Sequence, residues 1–166
     1  MNVSSAMLPG VFLLIASVAR TQVNLEDLSR LQLQVLKAEV VDRLADPEHG
    51  SEVTVSPGRK VVVVTLKGSP DANVSVSIRP AEFAAVYQTP VGLIRATITS
   101  ASVALRRGDH TEWTISPPGK DIVSLIPFEK GQEFTLLVGF LLPENVTEFS
   151  VRYPTIAKGR AVLSQK

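Results

Sequence analysis

The chain has 166 residues, enough for one domain with a substantial hydrophobic core and too few to favour a second. Its 17 Lys and Arg stand against 16 Asp and Glu, a formal net charge of +1, so no general field attracts nucleic acid or an anionic membrane. It contains no cysteine, which excludes disulfides, thiolate catalysis, cysteine-ligated zinc and a lipid anchor carried on a cysteine.

Met7 to Ala19, MLPGVFLLIASVA, is an apolar run that ends at Arg20. It reads as the apolar region of an export signal, with Ser17 and Ala19 at the two small-residue positions of a cleavage after Ala19. Residues 1–19 are therefore expected to be a signal peptide, 20–30 a polar lead-in and 31–166 one β domain, secreted or periplasmic. No basic side chain precedes the run, so an uncleaved signal anchor is the other reading, and membrane association is expected only in that form. Two sequons, at Asn73 and Asn145, matter only in a eukaryote.

Leu25, Leu28, Leu31, Val35 and Ala38 recur at helical spacing, while Leu31, Leu33 and Val35 alternate with Gln32 and Gln34 as a half-buried strand does. The strand is preferred. Its apolar face continues through Ala38 and Val40 only if a bulge near Leu36 shifts the register by one residue. Asp46 to Gly50 and Ser56 to Gly58 are turns. Val61 to Leu66, Val-Val-Val-Val-Thr-Leu, is nearly all β-branched and marks a central strand, because such side chains suit a pleated surface and crowd a helix.

Val74, Val76 and Ile78 alternate up to Pro80. Leu93 to Leu105 reads as one long strand, with Arg106 to His110 as a hairpin tip and Trp113 and Ile115 on the returning arm. Ile122 to Ile126 is another strand. Phe134, Leu136, Val138 and Phe140 alternate, as do Phe149, Val151 and Tyr153, and these two rows are expected to be an antiparallel pair joined across Pro143, Glu144 and Asn145. Ala161 to Leu163 closes the series. Prolines fall almost wholly at strand ends, where no ladder donor is lost. The pattern is that of an all-β, immunoglobulin-like antiparallel β-sandwich.

Pro57-Gly58-Arg59-Lys60 entering the valine strand, then Glu129-Lys130-Gly131-Gln132-Glu133-Phe134 leading to Phe140-Leu141-Leu142-Pro143-Glu144-Asn145, resemble the telokin-like immunoglobulin family of secreted bacterial proteins and lipoproteins. The resemblance spans roughly Leu31 to Leu163. It implies an exported sandwich without catalytic residues; the chain departs from many members in lacking the lipidation cysteine.

Arg107-Gly108-Asp109 resembles the integrin-binding triplet of adhesive proteins, and it is equally the turn a hairpin demands, with glycine free to take positive φ. His110 beside Asp109 and Glu112 offers metal-ligating atoms, as do Asp46, Glu48 and Glu52 for calcium, yet neither set has the spacing of a known site. His49 lies in a turn. Trp113, Tyr87, Tyr153 and Phe83 either line a groove or pack the sheets. No G-x-S-x-G elbow occurs, and two histidines leave few bases for a hydrolase. These residues point to a non-enzymatic interaction module without metal or cofactor, whose partner is a protein or envelope component rather than nucleic acid. A structural accessory domain of the envelope is the alternative, and a hydrolase the remotest.

Overall fold

A computed structural model of the chain describes residues 30–45, 50, 52–92, 94–115, 125–153 and 157–163, so the export signal and the lead-in up to residue 29 lie outside the described residues. The rest is a β-sandwich of antiparallel sheets. One sheet contains β1 (Gln34–Val41), β4 (Arg59–Gly68), β11 (Phe134–Pro143), β8 (Ser102–Arg107) and β9 (His110–Ile115), hydrogen-bonded in that order. The other is ordered β13 (Ala157–Val162), β12 (Glu148–Arg152), β6 (Ala84–Gln88) and β7 (Arg95–Thr99). A ribbon of β5 (Val74–Ser77) and β10 (Leu125–Phe128) contributes Val74, Val76 and Phe128 to the same core, and a short hairpin of β2 (Leu44–Ala45) and β3 (Glu52–Val53) lies beyond β1 in sequence.

The valine run is the axis of the larger sheet. Val62, Val64 and Leu66 face the core with no measurable exposure, and β1 and β11 flank the strand on either side. Val61 and Thr65, on the opposite face, are also buried, so β4 is covered on both sides. The anticipated bulge in β1 is present, with the register to β4 slipping between Val35 and Lys37. It keeps Val35 and Ala38 against the core, opposite Leu66 and Val64. Val40 pairs with Val62 yet remains 53 % exposed, because β1 is the edge of its sheet and the core covering thins there.

Three expectations need correction. Phe134–Phe140 and Phe149–Tyr153 do not form a hydrogen-bonded pair: β11 pairs with β4 and β8, whereas β12 pairs with β13 and β6 in the opposite sheet. The two apolar rows are buried together by facing each other across the core, where the rings of Phe140 and Phe149 meet edge-on at 6.1 Å. The run from Leu93 to Leu105 is two strands in different sheets. Ser100 donates its N–H to the Phe83 carbonyl beside the smaller sheet, and Ala101 donates to the Gly139 carbonyl of the larger one, so the chain crosses the sandwich between them. The last strand begins at Ala157 rather than Ala161, and Ile122 to Ser124 of the strand expected there lie outside the described residues.

Candidate functional site

The β6–β7 hairpin ends in a tip that exposes aliphatic side chains. Thr89 donates both its N–H (2.9 Å) and its hydroxyl (3.0 Å) to the Ile94 carbonyl, which narrows the neck. Gly92 N–H donates to the Thr89 carbonyl at 3.1 Å, closing a β-turn with Pro90 at its second position, where the fixed φ of proline suits the turn. Gly92 itself sits at φ +93°, a conformation that glycine adopts without steric cost. Val91 is 81 % and Ile94 62 % exposed at this tip.

The outer face of the same sheet follows from alternation. Phe149 and Val151 of β12 and Ala85 of β6 point into the core, so Glu148, Ser150, Arg152, Val86 and Gln88 point outward. The register aligns Ser150 with Val86 and Thr97, and Gln88 with Arg95. Glu148, Ser150, Arg152, Val86, Gln88 and Arg95, with Asn145 and Thr147 from the β11–β12 connection, line an open depression of about 470 Å³, contiguous with the neck of the tip through Gln88 and Arg95. Among the described residues, no acidic side chain pairs with Arg95 or Arg152, and Arg152 Nε is buried without an acceptor.

A second depression, about 510 Å³, lies on the outer face of the larger sheet over Val63, Thr65, Thr135 and Leu137. Its rim holds Arg43, Arg106, Lys37 and Glu39, the last two bridged at 2.8 Å, and the hairpin carrying Leu44 leans over it. With charges of both signs and one pair already satisfied, this face carries little selectivity.

Arg107-Gly108-Asp109 forms the β8–β9 turn. Arg107 and His110 are the last paired residues, and only Gly108 has positive φ (+58°), the pattern of a II′ turn with glycine leading. Arg107 is not presented freely: its Nη1 donates to the Pro127 carbonyl at 2.9 Å and its guanidinium sits 5.5 Å from the centre of the Phe128 ring. Asp109 and His110 are exposed.

Of the aromatic residues, Phe83 and Tyr153 are fully buried and stacked, with centroids 4.6 Å apart, and burial pushes the Tyr153 phenol far above its usual range, with the Glu82 carboxylate adding to the effect. Tyr87 is half-buried against the core and borders the arginine-lined depression. Trp113 lies on β9, its side chain outside those described. His49, Asp46 and Glu48 lie outside the described residues, and Glu52 is exposed on β3. Among the described residues no three His, Asp or Glu side chains gather as metal ligands, and no helix is long and apolar enough to cross a membrane. Asn73 accepts the Lys130 N–H through Oδ1 at 2.8 Å, and Asn145 is exposed.

Sequence reasoning passed over both the tip and the arginine face. Thr89-Pro90-Val91-Gly92 carries a turn signature that marks the first, and the polar residues between Phe149, Val151 and Tyr153 mark the second. Comparison with known protein families, with curated proteins and with solved structures returns no match to this chain.

Proposed function

We propose that this chain is an exported, non-enzymatic, immunoglobulin-like binding module that engages a protein partner through the β6–β7 tip. The observation that carries the reading is the exposure of Val91 and Ile94 at a tip closed by the Thr89–Ile94 and Gly92–Thr89 hydrogen bonds. Burying an aliphatic side chain of this size is worth about 1.5–3 kcal/mol. Two such side chains on a convex turn fit an apolar cleft in a partner. Export is supported by the apolar run from Met7 to Ala19, and the sandwich assignment by the resemblance at Pro57 to Lys60 and Glu129 to Asn145.

Capture from the native envelope or secretion medium tests the binding reading. The wild-type protein should retain a partner that the Val91→Ser/Ile94→Ser double variant, still cooperatively folded, releases. Equal capture by both removes the tip from the function. Intact-mass analysis of the exported protein tests the address: a mature chain starting at Arg20 supports it, and one retaining Met1 overturns secretion of a cleaved form.

A further inference from the structure

The outer face of the smaller sheet carries two guanidinium groups that no described acidic side chain neutralises. Strand alternation puts them there, because Phe149 and Val151 turn inward and leave Arg152 outward, while Ala96 opposite Tyr87 leaves Arg95 outward. Arg152 lies opposite Ala84 and Arg95 opposite Gln88, four residues further along β6. At about 3.3 Å per residue the two arginines are rooted about 13 Å apart along the strands. A ligand that meets each guanidinium above its own strand carries charges at intervals along an extended chain.

The depression presents neutral donors and acceptors from Gln88, Asn145, Thr147 and Ser150, and its lining also includes the carboxylate of Glu148, which is engaged by another contact. The short side chains of Val86 and Ser150 leave room on its floor. Arg152 Nε is shielded from solvent, so it is the terminal nitrogens of this guanidinium that are left to meet a ligand on the face. A guanidinium offers a planar fork that suits carboxylate or sulfate oxygens, and side-chain amides and hydroxyls suit sugar hydroxyls. Over the middle of the face β6 is hydrogen-bonded on both sides by β12 and β7, so a ligand lying across it meets no strand edge to pair with; the open edge of the sheet lies beyond Arg95, on β7.

We propose that this face binds an acidic polysaccharide, with Arg95 and Arg152 holding anionic groups at intervals along it and the polar side chains of the depression contacting the sugar hydroxyls. The site adjoins the neck of the apolar tip but uses neither Val91 nor Ile94, and it does not depend on a protein partner there.

Isothermal titration of the full mature chain with polygalacturonate, dextran sulfate, neutral dextran and polyaspartate provides the test. Binding is expected for an acidic polysaccharide, carboxylated or sulfated according to which of the first two is preferred, and not for dextran. Arg95→Gln and Arg152→Gln should each weaken it at least tenfold, while Val91→Ser/Ile94→Ser leaves it unchanged. Should Arg152→Gln fail to fold, Arg95→Gln decides, because that side chain is exposed. The proposal is overturned by no binding to either acidic polymer, by polyaspartate binding as tightly as both, or by affinity that survives substitution of the arginines.

Discussion

Leu44 is seated on Gly139: a Cβ added at Gly139 would collide with Leu44 Cδ2 and with Ser102 Oγ. The glycine lies in the middle of β11, where its entropy cost would ordinarily count against it. Its value here is the close approach it permits, which lets the β2–β3 hairpin bury Leu44 to 2 % exposure on the outer face of the larger sheet.

Gly139→Ala should therefore destabilise the fold by about 1–3 kcal/mol through overpacking. Adding Leu44→Ala should recover part of that loss, because the two substitutions share one space. Thermal melts of the two single variants and the double variant measure the coupling, and strict additivity would show that the contact does not constrain the strand.

Val64→Asp should destabilise the protein by several kcal/mol. Val64 is fully buried between β1 and β11, opposite Ala38 and Val138, and no described cation faces the core there to pair with a carboxylate. Denaturant titration reads the effect; a midpoint within error of the wild type would contradict the central position of β4.

Stability should fall as pH rises above about 10. Burial raises the Tyr153 pKa, with Glu82 contributing, so the folded protein keeps its phenol proton where the unfolded chain, titrating near 10, has lost it. The stabilisation is complete below that pH and declines above it by up to about 1.4 kcal/mol per pH unit for this one proton. Melting curves from pH 8 to 11 should show the decline, and Tyr153→Phe should flatten it. An unchanged slope in the variant would assign the alkaline loss to other groups.

Asp109→Glu should leave the melting midpoint unchanged, since Asp109 is exposed and the positive φ of the turn falls on Gly108. Arg107→Ala should cost about 1 kcal/mol, from its bond to Pro127 and its position over Phe128. Neither change should alter cell adhesion to immobilised protein. Divalent-cation-dependent adhesion abolished by Asp109→Glu in a folded variant would make the triplet a receptor site.

Local chemistry determined much of this architecture. Val61 to Leu66 reads as a strand because β-branched side chains favour a pleat, the bulge near Leu36 follows from the shift in its apolar face, and the tip at Gly108 follows from the demands of a tight turn. Alternation also identified the buried sides of Phe134–Phe140 and Phe149–Tyr153. It could not say that these rows face each other across the core, because period-two patterning settles which face of a strand is apolar and not which strand is its neighbour. The crossing at Ser100 and Ala101 shows the same limit. Ser100 is buried with its hydroxyl donating to the Pro80 carbonyl at 2.5 Å, a partner twenty residues away, and nothing in Leu93 to Leu105 alone breaks the run there. The arginine face was legible strand by strand, since Arg152 alternates with buried residues. That Arg95 joins it was decided only when β6 paired with both β12 and β7, because hydrogen-bond partners distant in the chain are chosen by the packing of the whole core rather than by local preference.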